Sequence, residues 1–210
     1  MAITGVGGCF ADTLRCSCRY VALVLDTSGS MNYGGDSLSL SPIQAAVAAA
    51  LSFVDQMAPQ VLEGLHSPMV DCCLPPPALA RPRLQDRLTV ITFGSTPVEM
   101  QPAGGLVRDT YSLLRPQIAL LTASGGTGLY YAVALGLQRL SSQRAADMAN
   151  YTDYNYVLFL QTDGVDDGRG GSAEMAAALP SGEDSSEPHI FAVGFGAAGS
   201  CILWESASLI

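Results

Sequence analysis

Five oxygen-bearing side chains in three separate stretches could hold a hard metal ion. They are Asp26, Ser28 and Ser30 in one Asp-x-Ser-x-Ser run, Thr127 after Ser124-Gly125-Gly126, and Asp163 in Thr162-Asp163-Gly164. Two carboxylates and three hydroxyls, with no imidazole or thiolate, suit Mg²⁺ and disfavour Zn²⁺; Mn²⁺ and Ca²⁺ share the preference for oxygen. Neutral hydroxyls leave much of the charge of such an ion uncompensated, so it would accept a carboxylate from outside as its last ligand. Each stretch also has a plain reading: a Ser- and Gly-rich turn, a helix cap at Thr127, an Asp-Gly turn at Asp163. Their shared setting favours the site, because each follows an apolar run or opens a helix.

The elements that must position these residues follow from patterning. Tyr20 to Leu25 is a continuous apolar run ending abruptly in Asp26, which predicts a strand buried on both faces of a parallel sheet. Ser41-Pro42-Ile43-Gln44 reads as a capping box opening an Ala-rich helix that runs to Met57. Residues from about 59 to 86, with Pro75-Pro76-Pro77 and Cys72-Cys73, read as a surface insertion. Arg87 to Phe93 is the next strand, and Pro97 to Met100 an antiparallel edge strand. Thr110 to Ile118 and Gly128 to Leu140 carry helical periodicity, Tyr156 to Leu160 and Ile190 to Val193 strand periodicity. This alternation predicts an α/β fold: a doubly wound, mostly parallel sheet with one antiparallel edge strand and helices on both faces. In such a sheet ligands bind beyond the carboxyl ends of the strands.

With the elements in place, Asp26-Thr27-Ser28-Gly29-Ser30-Met31, Gly126-Thr127 and Thr162-Asp163-Gly164 resemble the three parts of the metal ion-dependent adhesion site of von Willebrand factor A domains. The similarity runs from about Arg19 to Gly196 and includes His189-Ile190-Phe191-Ala192-Val193-Gly194-Phe195-Gly196. It implies a Rossmann-like fold for residues 19–210 after an N-terminal tail of 1–18. It also implies that Ser28 and Ser30 ligate the ion directly, Thr127 directly or through water, and Asp26 and Asp163 often through water. The implied function is metal-dependent protein binding, in which the partner supplies a Glu or Asp. Family members continue past the last long strand through a helix and an additional edge strand, which residues 197–210 leave little room for. The expectation is therefore that this strand is lacking, or that a partner chain or a larger polypeptide covers the edge.

Bulk properties narrow the alternatives. The chain has a net charge of -9 and ten Arg but no Lys, with the Arg scattered, so nucleic acid is not an expected partner. Chemistry that needs a phosphate-binding or Schiff-base lysine is excluded. No leader or membrane span is visible, and Cys9, Cys16, Cys18, Cys72, Cys73 and Cys201 contain no Cys-x-x-Cys pair, which reads as a soluble cytoplasmic chain with reduced thiols. His66 and His189 lie away from the metal loops and no Gly-x-Ser-x-Gly elbow occurs, so a hydrolytic triad is not expected; zinc at His66, Cys72 and Cys73 is a minor alternative. Gly194-Phe195-Gly196-Ala197-Ala198-Gly199 matches a dinucleotide fingerprint, but the chain ends before the strand and acidic residue that the motif requires. The expected function is a non-enzymatic, Mg²⁺-dependent protein-binding module. Two alternatives stand beside it: a metal-assisted phosphoester hydrolase with Asp166 or Asp167 as base, and a metal-independent scaffold domain.

Overall fold

A computed structural model describes residues 19–33, 40–58, 86–149, 154–164, 167, 170–179, 187–195 and 201–205. The N-terminal tail, nearly all of the 59–86 insertion with His66, Cys72 and Cys73, and Asp166 lie outside the described residues.

Strand β1 (Arg19–Asp26) is the organising element. Its apolar run is buried on both sides because alternate residues serve two layers. Val21, Leu23 and Leu25 join one cluster with Ala50, Val54, Leu114 and Ile118; Ala22 and Val24 join another with Ala132, Leu137 and Leu140. Helices α1 (Pro42–Met57) and α2 (Val107–Ala119) thus cover one face of the sheet, and α3 (Leu129–Ala149) the other. The α1 capping box is present: Gln44 N–H donates to Ser41 Oγ, and the Gln44 side chain accepts from the Ser41 amide.

β1 pairs in parallel with β2 (Arg87–Phe93) on one side and β5 (Asn155–Thr162) on the other. With β3 (Pro97–Glu99), β6 (His189–Phe195) and β7 (Cys201–Glu205), the strand order is β3-β2-β1-β5-β6-β7. A two-residue strand, β4 (Gly105–Leu106), also pairs with β2. The chain leaves β1 towards β2 and later returns to its other side as β5, so the order reverses beside β1 and a crevice opens at the carboxyl ends.

The doubly wound α/β architecture is therefore as expected, with informative differences at its margins. Antiparallel pairing occurs at both ends of the sheet: β3 and β4 on β2, and β7 on β6. The outer edge of β6, where the expectation is a lacking strand or a covering partner chain, is paired with this chain's own residues 201–205. Five residues link Phe195 to Cys201 across that antiparallel pair, far fewer than the dozen or so a parallel crossover needs, so the glycine fingerprint does not serve a dinucleotide fold. Helix α3 extends to Ala149, past the end of its apolar stripe at Leu140, because buried Asp147 is held by Gln143 Nε2 and Tyr156 Oη, each 2.9 Å away. A short helix, α4 (Ser172–Ala178), was not predicted by periodicity. Among the described residues no helix is long and apolar enough to cross a membrane.

α3 lies flush on the sheet because Gly136 has no side chain: a Cβ there would stand 2.8 Å from Leu158 Cδ1 and 3.3 Å from Val24 Cγ2. Gly136→Val should cost about 1–3 kcal/mol by overpacking, read as a lower urea midpoint with an unchanged slope. A midpoint equal to the parent's would show that this interface is looser than described.

Candidate metal centre

At the carboxyl end of β1 the apolar pattern stops at Asp26, which has no solvent exposure. The chain turns at once: Ser28 N–H donates to Asp26 Oδ1 at 2.7 Å. Thr27 is tied to β2 through two donors, its N–H at 2.7 Å and Oγ1 at 3.0 Å from the carbonyl of Phe93. A 3-10 turn over Gly29–Asn32 follows, anchored by fully buried Met31 among Ile43, Ala46 and Ala123. That anchor leaves Ser28 buried and Ser30 exposed, two residues apart on one loop.

The loop before α3 docks on this one through backbone contacts. Gly29 N–H donates to Gly125 O at 2.9 Å, and Ser124 N–H to Thr27 O at 2.7 Å. Gly125 has φ +81°, where glycine is favoured, and a Cβ on Gly29 would stand 3.0 Å from Gly125 O. Gly94 and Ser95, after β2, hold the far side: Gly128 N–H donates to Gly94 O at 2.7 Å and Gly126 N–H to Ser95 Oγ at 2.9 Å.

β5, in register beside β1, delivers Thr162 and Asp163. Thr162 Oγ1 donates to Asp26 Oδ2 at 2.6 Å, and Ser30 Oγ donates to Asp163 Oδ1 at 3.0 Å. The hydroxyls of Ser28 and Ser30 are 2.9 Å apart. Asp26, Ser28, Ser30 and Asp163, predicted from separate stretches, thus form one hydrogen-bonded chain. Thr127 is buried on the docked loop; its N–H donates to Asp167 Oδ2 and its carbonyl accepts from Asp167 N–H, both at 3.1 Å. Burial pushes the Asp163 carboxyl above its ordinary value; the hydrogen bond from Ser30 opposes this, and the charge of Asp26 adds to it.

Two contributors carry no role in the sequence reading. Thr162 is one, although a Thr two positions before Gly164, whose N–H donates to Thr162 Oγ1 at 3.2 Å, is a readable turn signal. Gly94-Ser95 is another, and no pattern connects it with Gly126 and Gly128. Asp167, weighed in the sequence as a candidate base, clamps the backbone of Thr127.

The donor set can be tested against the ion. Cis oxygens of an octahedral ion with bonds of about 2.1 Å stand about 3.0 Å apart, as Mg²⁺ requires. The separations Ser28 Oγ to Ser30 Oγ, 2.9 Å, and Ser30 Oγ to Asp163 Oδ1, 3.0 Å, match that edge length. Among the described residues no three His, Cys, Asp or Glu side chains cluster in a metal-binding group, so a cation here would depend on hydroxyls.

The von Willebrand factor type A domain model matches residues 21–165, well over half of the chain and inclusive of all five candidate ligands. The chain belongs to that family. No curated protein matches it. Among solved structures, a von Willebrand factor type A protein from Catenulispora acidiphila is 18% identical with a TM-score of 0.52, over 77% of this chain and 30% of that one. The manganese-loaded TRAP protein of Plasmodium vivax is 16% identical with a TM-score of 0.51, over 87% of this chain and 60% of that one. This von Willebrand A domain therefore spans less than two thirds of either relative, and the likeness is one of fold.

Two predictions follow from the geometry of this A domain. Asp167→Ala should release the Thr127 amide, costing about 1 kcal/mol and speeding its hydrogen exchange; unchanged exchange would exclude the clamp. Because the folded-state pKa of Asp163 is raised, its ionisation weakens the cation-free fold. That loss is absent below the unfolded value of about 3.9 and complete once pH passes the raised folded value. In chelator at pH 7, Asp163→Asn should melt no lower than the parent, any advantage shrinking on acidification towards pH 4. A lower melting temperature for the variant at pH 7 would contradict this.

Proposed function

We propose that this domain is a divalent-cation-dependent protein-binding module of the metal ion-dependent adhesion type. Mg²⁺ would be held by Asp26, Ser28, Ser30, Thr127 and Asp163, with a Glu or Asp of the partner completing the coordination. The observation that carries the reading is the linked set of Ser28, Ser30 and Asp163 oxygens gathered at the carboxyl ends of β1 and β5. The electrostatics support it. Asp26 and Asp163 are close enough for one to disfavour ionisation of the other, a repulsion that a cation between them would relieve. The manganese loaded in the TRAP relative is in keeping with it.

When bound, the ion supplies an electrophilic centre for an oxygen ligand. The chain's own groups do the rest: the serine hydroxyls present neutral oxygens, buried Asp26 supplies negative charge from behind, and the backbone clamps fix the loops. The reading is of a binder and not an enzyme. Of the two candidate bases for a phosphoester hydrolase, Asp166 and Asp167, Asp167 has one carboxylate oxygen engaged with the Thr127 amide.

A melting experiment with increasing Mg²⁺ tests the site. Binding that saturates at a hundred times Kd stabilises the fold by about 2.7 kcal/mol. We expect a rising melting temperature for the parent, a much reduced response for Ser30→Ala, and none for Asp26→Ala. No response from the parent would sink the proposal. On a random-peptide array, capture should favour peptides containing Asp or Glu in Mg²⁺ and vanish in chelator. Capture that survives chelator would point to a metal-independent scaffold, and phosphoester turnover above an Asp163→Ala control to a hydrolase.

A further inference from the structure

We infer that Thr162 is a positioning residue that keeps Asp26 out of direct contact with the cation, so that a coordination position is left to water or an external acid. The inference rests on the cation site proposed above and concerns which of its residues touch the ion. Asp26 is fully buried, and each of its oxygens already accepts a short hydrogen bond: 2.7 Å from Ser28 N–H at Oδ1, 2.6 Å from Thr162 Oγ1 at Oδ2. The direction of the second bond is determined. Gly164 N–H donates to the same Thr162 oxygen at 3.2 Å, so the single hydroxyl proton is the one aimed at Asp26.

An O–H···O⁻ bond of this length is charge-assisted and strong, and a cation approaching Oδ2 must compete with it. Ser30 Oγ, by contrast, is on the exposed side and bridges Ser28 and Asp163. Register explains why Thr162 is the residue in place. Leu25 pairs with Gln161, so the next residue along each strand, Asp26 and Thr162, emerge together at the end of the sheet. The carboxylate therefore acts on the ion from a second layer. The ion's charge is moderated without filling a direct position, which is the condition under which it still takes a carboxylate from elsewhere.

Removing the hydroxyl proton should reverse this. Without it, Oδ2 is a buried anionic oxygen short of a donor, and a cation becomes its best partner. Thr162→Val should therefore bind the ion more tightly and with fewer waters, and Thr162→Ser should resemble the parent.

The test uses the full chain and Mn²⁺ alone, followed by water-proton relaxation, which reports both affinity and the waters exchanging at the ion. For Thr162→Val we expect Mn²⁺ affinity to rise by about tenfold or more, the equivalent of one charge-assisted hydrogen bond, with about one exchanging water fewer. Thr162→Ala removes the same donor without the branched side chain and should move the same way, which guards against a folding defect peculiar to valine. Weaker Mn²⁺ binding by both variants with an unchanged water number would overturn the inference and leave the cation site standing. No Mn²⁺ binding by the parent would overturn the site and the inference together.

Discussion

A carboxylate sealed from solvent at the tip of the central strand is the constraint on which the working end of this domain depends. Burying an ionised group without partners costs several kcal/mol, so Asp26 is tolerable only because Ser28 N–H and Thr162 Oγ1 each give it a short hydrogen bond. The first bond requires the chain to turn immediately after β1. The second requires β5 to lie beside β1 in the observed register. One residue of slippage would carry Thr162 to the opposite side of the sheet and leave Asp26 half paired. The apolar runs of β1 and β5, buried on both faces, make that slip costly, so the hydrophobic core holds the polar site in register.

Close backbone approach is the second requirement. Gly29 against Gly125, Gly94 against Ser124 and Gly128 against Ser95 leave no room for side chains, and the loops join through amide-to-carbonyl bonds. Because backbone groups hold the loops together, the side-chain oxygens of Ser28, Ser30 and Asp163 can gather on one side. Met31 adds an apolar anchor beneath, so the serine loop is supported from below by packing and from the side by hydrogen bonds.

Membership of the von Willebrand A family accounts for the fold without supplying a partner or an activity. The two structural relatives are only 18% and 16% identical to the chain and share its fold. The antiparallel return of β7 onto β6 modifies the far edge of the sheet and leaves the β1–β5 crevice, where the candidate ligands lie, at the centre.

Local patterning was sufficient for much of this. An apolar run stopped by Asp26, a capping box at Ser41 and Gln44, and alternating strand and helix periods led to the parallel core and its helices, because those signals are contained within a few neighbouring residues. The candidate ligands were also legible, since Asp-x-Ser-x-Ser, Thr127 and Asp163 each sit at a change of period. What the sequence could not show is how separate stretches meet. Thr162 as donor to Asp26, Ser95 as acceptor for Gly126, Asp167 as clamp on Thr127, and β7 on the edge of β6 are all contacts between residues distant in sequence or made through backbone. Backbone hydrogen bonds carry no side-chain signature, and long-range neighbours are created only when the strand order closes. Residue types announced a set of oxygens; tertiary structure decided which of them are within reach of one another.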